Sequence, residues 1–274
     1  MKIHLHKSNA KISGVVQLSS SKSESNRLLL MSALSDRPFD LENLSDAKDT
    51  QTMLRLLSEN KETWDVMEAG TTMRFCTAYL ALRGAGQILT GTERMKARPI
   101  GILVEALRTL GADIQYFGKE GFPPLKINAL KEQKTKKIDM PGNVSSQFIS
   151  AVLMIAPTLP MGLEVTLQKE IFSRPYIEMT LALMRKFGVE HTWTGNVITI
   201  LPQTYKANHY IVESDWSGAS YWYAMAALSD EATITLKGLK KNSYQGDSQI
   251  AQIMESFGVI SSYGTNEVTI SNTG

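Results

Sequence analysis

An α/β fold built from repeated β-α-β-α-β-β units is predicted by three observations on the 274-residue chain. Four segments open on small polar residues and run on as apolar helix: "SKSESNRLLLMSAL" (21–34), "GTTMRFCTAYLAL" (70–82), "SSQFISAVLMIA" (145–156) and "SGASYWYAMAAL" (217–228). Each follows a β-like stretch and is succeeded by a second strand and a second helix. The last three second helices end in an apolar residue plus glycine, at Gly111, Gly188 and Gly258. A left-handed residue there satisfies the final carbonyls at no Cβ cost.

Taken in order, the leading strands are "ISGVVQL", "TWDVME", "KKIDM" and "HYIVE", and the following strands "GQILTG", "LEVTLQ" and "ATITLKG". The second helices are "RPIGILVEALRTLG", "RPYIEMTLALMRKFG" and "GDSQIAQIMESFG". A hairpin ends each of these copies, with Thr194-Gly195-Asn196 and Gly264-Thr265-Asn266 as turn chemistry. The first copy is shortened between Leu57 and Trp64. Alternation of strands with helices makes an antiparallel sandwich a poor alternative.

Composition excludes several function classes. Against 29 basic residues stand 27 acidic ones, and the basic residues are spread along the chain, so nothing in the overall charge favours nucleic acid or a membrane surface. The run Lys131 to Lys137 has no interleaved aromatics and reads as a solvated connector. No apolar run reaches membrane-spanning length, and the N-terminus lacks the apolar centre of a signal peptide. The single cysteine, Cys76, lies in an apolar helical pattern and reads as a core thiol in a reducing compartment. A cytoplasmic protein is expected. His4, His6, His191 and His209 show no metal-ligand spacing, although His4 and His6 share a strand face, and no metal site is expected.

The repeated helix starts carry the functional signal. Ser, Thr and Gly at these positions cap free backbone N–H groups or let an anion approach them. If the copies pack around a common axis, their N-termini converge into a donor-rich surface, to which Lys22, Arg27, Arg74 and Arg94 add full charges. A phosphorylated, acidic small molecule is the ligand this pattern implies. Singly, Ser21, Ser23 and Ser25, or Ser145 and Ser146, are no more than ordinary caps. Arg27 stands directly before "LLLM", where a cation needs a specific partner.

Together the segments "SKSESNR", "AGTTMR", "TGTERMKARPIGILVEAL", "NVSSQFISAVLM", "SRPYIEMTLALMRKFGV", "VESDWSGASYW" and "NSYQGDSQIAQIMESFGV" resemble, in order and spacing, the signatures of the 5-enolpyruvylshikimate-3-phosphate synthase family, the 3-phosphoshikimate 1-carboxyvinyltransferases. The resemblance implies an enolpyruvyl transferase-like two-domain fold with three units per domain, of which this chain carries four of six, a C-terminally truncated form. A first, shikimate-3-phosphate-binding domain is expected at 20–212, and a partial second domain at 213–274 with residues 1–19 packed on it.

The implied activity transfers the carboxyvinyl group of phosphoenolpyruvate to shikimate 3-phosphate, in aromatic amino acid biosynthesis. It calls for no cofactor and no metal, and the full-length form is expected to be a monomer. The resemblance assigns Lys22, Ser23 and Arg27 to the first binding segment, with Lys22 touching both substrates. It assigns Gly70 and Arg94 to phosphoenolpyruvate, Ser145, Ser146 and Gln147 to shikimate 3-phosphate with Gln147 facing both ligands, and Ser173 and Tyr176 to the ring and its phosphate. The general base is expected from the fifth and sixth copies, so turnover by the 274-residue chain alone is expected to be weak or absent. Ser19-Ser20, Glu68 and Phe75 depart from the family's usual Pro-Gly, Asn and Pro, and Glu68 opposes anion binding. Two alternatives stay open: a noncatalytic phosphate-ligand-binding fragment, and a UDP-N-acetylglucosamine enolpyruvyl transferase. The latter generally carries a cysteine in the region of "GTERMKARP", which has none here.

Overall fold

The structure is a computed structural model that describes residues 11–59 and 61–272. His4 and His6, and the part of the predicted N-terminal packing that falls before Lys11, lie outside the described residues. In chain order the elements are β1 (Lys11–Gln17), α1 (Lys22–Leu34), β2 (Asp40–Glu42), α2 (Lys48–Ser58), β3 (Thr63–Asp65), α3 (Gly70–Arg83), β4 (Ala85–Thr90) and the single turn α4 (Glu93–Lys96). Then follow α5 (Gly101–Leu110), β5 (Asp113–Tyr116), β6 (Leu125–Asn128), β7 (Lys137–Pro141), α6 (Ser146–Ile155), β8 (Leu163–Gln168), α7 (Arg174–Lys186), β9 (Thr192–Thr194) and β10 (Val197–Ile200). The last are β11 (His209–Ile211), α8 (Trp216–Ala227), β12 (Glu231–Lys237), α9 (Ile250–Glu255), β13 (Ile260–Gly264) and β14 (Glu267–Asn272).

The described residues form two compact units, one within Lys22–Ile211 and one of residues 11–21 together with 212–272. In the larger unit α1, α3 and α6 pack on one another, and α2, α5 and α7 fill the gaps between them so that the ring closes from α7 back to α1. Position in this ring explains the helix sequences. Helices α1 and α3 bury polar and apolar residues alike along their length, since neighbours surround them. Helices α2, α5 and α7 each bury one stripe, as expected of a peripheral amphipathic helix.

Three sheets repeat one order: β3-β4-β6-β5 and β7-β8-β10-β9 in the larger unit, β1-β12-β14-β13 in the smaller. In each, the first two strands are parallel and the rest antiparallel. The bare repeat pattern places the strand before each first helix in that helix's own copy, whereas the resemblance places residues 1–19 on the second domain; the pairings of the first and last of these strands follow the domain bounds and not the repeat. Strand β1 pairs with β12, from Lys11 opposite Glu231 to Gln17 opposite Lys237. Strand β11 pairs in parallel with β2, His209 opposite Asp40 and Ile211 opposite Glu42. The shortened first copy therefore has a two-stranded sheet completed by a strand that precedes α8.

The glycine ends are as the sequence predicts. Gly111, Gly188 and Gly258 have φ of 115°, 82° and 79°. The next residue donates its N–H back across the turn each time, Ala112 to Leu107 at 3.0 Å, Val189 to Met184 at 3.0 Å and Val259 to Met254 at 3.1 Å. The fourth second helix is shorter than predicted: Gly246–Gln249 is a 3₁₀ turn and only Ile250–Glu255 is α-helical. Gly246 is a poor helix former, and Asp247 instead accepts a hydrogen bond from the Ser217 hydroxyl at 3.1 Å. The left-handed residue of the last hairpin is Asn266 (φ 57°) rather than Gly264. Lys137, at the end of the basic run, begins β7 and pairs with Glu164 at 2.8 Å. Cys76 is buried, which pushes its thiol pKa up and keeps it protonated and inert. No helix among the described residues is long and apolar enough to cross a membrane.

Candidate functional site

The first turns of α1, α3 and α6 come together in the larger unit. A cavity of about 310 Å³ is lined by Lys22 and Ser23 of α1, Thr71 of α3, Ser145, Ser146 and Gln147 at the start of α6, Ser173 and Tyr176 at the start of α7, and Arg27. Donors from several helix starts thus face one space, which suits an anion. The Ser145 hydroxyl accepts from the Gln147 backbone N–H at 3.4 Å, capping α6. Gln147 Nε2 donates to Thr71 Oγ1 at 3.2 Å and so ties α6 to α3 across the cavity wall. Ser173 holds a left-handed conformation (φ 51°) ahead of Pro175, which turns the chain into α7 at the rim.

Arg27 is only 3% exposed. Its Nε donates to Thr180 Oγ1 at 2.7 Å, Nη1 to the Ser23 carbonyl at 2.9 Å, and Nη2 to Ser150 Oγ and the Tyr176 carbonyl, both at 3.3 Å. The guanidinium also lies near the Phe75 and Tyr176 rings, at 5.7 and 6.0 Å from their centroids. Burial lowers its pKa to about 10, so it remains a cation at neutral pH. The partner the sequence demands for this cation is a set of four neutral oxygens, which fix the group without cancelling its charge.

Two further cavities adjoin. One, of about 690 Å³, is lined by Lys22 together with Lys48, Asp49, Arg55, Glu68 and Ala69, among others. The other, of about 440 Å³, is lined by Glu68, Arg94, Met95 and Arg98. Lys22 is shared by the first and second cavities, and Glu68 by the second and third.

Of the ten residues the sequence singles out, eight line the first cavity; Arg94 lies in the third and Gly70 at the start of α3. The structure adds three that sequence reasoning missed. Thr71 completes the first cavity. Arg98 lies against Gly70: a Cβ on that glycine would stand 2.3 Å from Arg98 Nη1. "RMKAR" offers two arginines four residues apart, and the close approach to Gly70 distinguishes the second. Asp49 accepts from Thr72 N–H at 3.2 Å and from the Thr72 hydroxyl at 2.6 Å. It supplies from α2 the cap that Ala69 cannot give α3.

Beneath Gly70, the Arg74 guanidinium donates to the Gly70 carbonyl at 2.9 Å and to the Pro99 carbonyl at 3.3 Å. Burial and then the neighbouring Arg98 charge lower the Arg74 pKa to about 10. Arg74 thus fixes the first turn of α3 and the segment carrying Arg98 relative to each other.

Gly70→Ala is expected to leave the fold within about 1 kcal/mol, since alanine is the better helix former and only the end of a flexible side chain must move. Displacing Arg98 should weaken anion binding there by about 1.5–3 kcal/mol, the worth of a hydrogen bond to a charged group. Melting curves and titration with inorganic phosphate measure the two effects separately.

Comparison with known proteins places this arrangement. A family model described as EPSP synthase (3-phosphoshikimate 1-carboxyvinyltransferase) matches residues 6–66 and 57–273. The 3-phosphoshikimate 1-carboxyvinyltransferase of Bacteroides fragilis strain YCH46 is 50% identical over 266 residues, covering 97% of this chain and 65% of the relative. That of Haemophilus influenzae strain Rd is 39% identical over 290 residues, covering 92% and 65%. The chain thus spans about 65% of the length of these curated relatives. A solved structure of EPSP synthase from Acinetobacter baumannii shares the fold with a TM-score of 0.78 at 20% identity, over 96% of this chain and 65% of that one. By sequence and by fold, the chain belongs to the EPSP synthase (3-phosphoshikimate 1-carboxyvinyltransferase) family.

Proposed function

We propose that the protein takes part in transfer of the carboxyvinyl group of phosphoenolpyruvate to a ring hydroxyl of shikimate 3-phosphate, and that residues 22–211 supply the shikimate-3-phosphate site. In this reading the vinyl methylene is protonated and C2 becomes electrophilic. The hydroxyl oxygen then bonds to C2 as its proton leaves, and the adduct loses that C2's phosphate and a proton to restore the vinyl group. The active form is read as a cytoplasmic monomer.

The observation that carries this reading is the gathering of Lys22, Ser23, Arg27, Ser145, Ser146, Gln147, Ser173 and Tyr176 around one cavity. Hydroxyl and amide donors suit the ring oxygens and phosphate, while Arg27 offers a fixed charge. Lys22, shared with the neighbouring cavity, is the residue placed to hold two anions side by side. Holding both reactants in register lowers the entropic part of the barrier. Gln147, tied to Thr71, helps keep the wall in shape before ligand arrives.

Calorimetric titration of the 274-residue chain with shikimate 3-phosphate, shikimate and UDP-N-acetylglucosamine tests this. Saturable binding of shikimate 3-phosphate is expected, at least about tenfold tighter than shikimate because of charge-assisted bonds to phosphate, and weaker at high salt. Equal affinity for shikimate and its 3-phosphate, or tighter binding of the UDP-sugar, overturns the reading.

A further inference from the structure

Glu68 occupies an unusual place for a carboxylate. It is exposed, and it is the residue common to the central cavity and the Arg94–Arg98 cavity. Cations line both cavities with it, Arg94 and Arg98 in one and Lys22, Lys48 and Arg55 in the other; Asp49 is the second acid of the larger cavity. The backbone around it is pinned. Val66 N–H donates to the Thr90 carbonyl at 2.9 Å, Ala69 N–H to the Val66 carbonyl at 2.9 Å, and Thr92 N–H to the Met67 carbonyl at 3.0 Å. Met67 holds a left-handed conformation (φ 54°), and its N–H donates to Asp65 Oδ1 at 2.8 Å. Swinging the loop out would break this set, so the backbone holds residue 68 where the two cavities meet.

We propose that Glu68 is a specificity-determining residue of this site: its carboxylate lowers the affinity of the Arg94–Arg98 side for anions, and does so more strongly the more negative the ligand. A ligand phosphate or carboxylate drawn to Arg98 shares its cavity with the Glu68 carboxylate, whose like charge repels it. The chain thereby holds its multiply charged ligand more loosely than an uncharged side chain at position 68 would allow. The inference rests on reading the Arg98 side as the place of phosphoenolpyruvate.

The test titrates phosphoenolpyruvate and inorganic phosphate into the 274-residue chain, its Glu68→Gln variant and its charge-retaining Glu68→Asp variant, with shikimate 3-phosphate as the reference ligand. Glu68→Gln is expected to tighten phosphoenolpyruvate by about 3- to 30-fold at low salt, from one like-charge contact across a solvated cavity, with the gain shrinking as salt rises. Inorganic phosphate should gain less, Glu68→Asp should gain little, and shikimate 3-phosphate should change less than about twofold because Glu68 does not line its cavity.

Unchanged phosphoenolpyruvate affinity in Glu68→Gln overturns the inference. So does equal tightening by Glu68→Asp, equal tightening of shikimate 3-phosphate, or no saturable phosphoenolpyruvate binding by any of the three proteins. Loss of shikimate 3-phosphate binding by the unaltered chain strikes the proposed function instead, and the phosphate arm still reads the effect of Glu68.

Discussion

Glu213→Ala is expected to destabilise the smaller unit by about 3–5 kcal/mol, because it strands several buried donors that now share one carboxylate. Glu213 is 2% exposed. Its Oε1 accepts from Trp216 Nε1 and from the Lys240 N–H, both at 2.8 Å, and its Oε2 from the Ser243 hydroxyl at 2.6 Å and Gln245 Nε2 at 3.2 Å. These bonds tie the start of α8 to the segment 240–245, which no regular element holds. The individual worths do not add, since the donors belong to one network. Glu213→Gln should do less harm, keeping one acceptor oxygen and turning its amide N–H toward the Ser243 hydroxyl, which can reverse to accept, although Gln245 Nε2 then loses this acceptor. Hydrogen exchange read peptide by peptide checks the claim: protection should fall across α8 and 240–245 and hold in α3 and α6. Uniform loss, or none, contradicts it.

Arg27→Met is expected to abolish most shikimate-3-phosphate binding while leaving the fold nearly as stable. Burial has lowered the Arg27 pKa from 12.5 to about 10, which corresponds to roughly 3 kcal/mol spent on keeping the charge in place. Methionine removes that cost and retains much of the volume, but leaves the oxygens of Thr180, Ser150, Ser23 and Tyr176 short of one donor each. Ser150 and Thr180 compensate in part, because their hydroxyls already lie 2.8 Å apart. The opposing effects should leave stability within about 2 kcal/mol of the parent, against a binding loss of about 1.5–3 kcal/mol. Arg27→Ala should lose binding equally and stability further, through the void it opens beside Phe75 and Tyr176. Urea titrations paired with calorimetry separate the two. Binding by Arg27→Met at the parent's affinity would remove Arg27 from the site.

The parts of this structure legible in the sequence are those with local causes. The glycines at 111, 188 and 258 announce helix ends because only the backbone around them matters. The polar helix starts announce an anion surface because each cap works on its own helix, and the repetition suggests that they meet. Arg98 was not legible, since its place is decided by the bare α-carbon of Gly70, 28 residues earlier in the chain. Asp49 was missed for a related reason: it caps a helix other than its own, which no local pattern records. The partners of β1 and β11 could not be read from the repeat pattern itself, because a strand's hydrophobic pattern specifies a sheet face and not a partner; the resemblance alone placed β1 with the fourth copy.

The pairing of β1 with β12 also sets an order in time. Lys11 and its partner Glu231 are 220 residues apart. At a synthesis rate of about 5–20 residues per second, β1 leaves the ribosome roughly 10–45 s before the strand it pairs with exists. Every residue of the larger unit, through Ile211, is made within that wait. A newborn strand in that position is a hazard if it is sticky, for its free edge can recruit a wrong strand. The sequence of β1 suits the delay: Lys11 at its start, Gly14 at its centre and five of seven positions solvent-facing even in the finished sheet make it a weak template. Its attachment waits until β12 presents a complete row of partners.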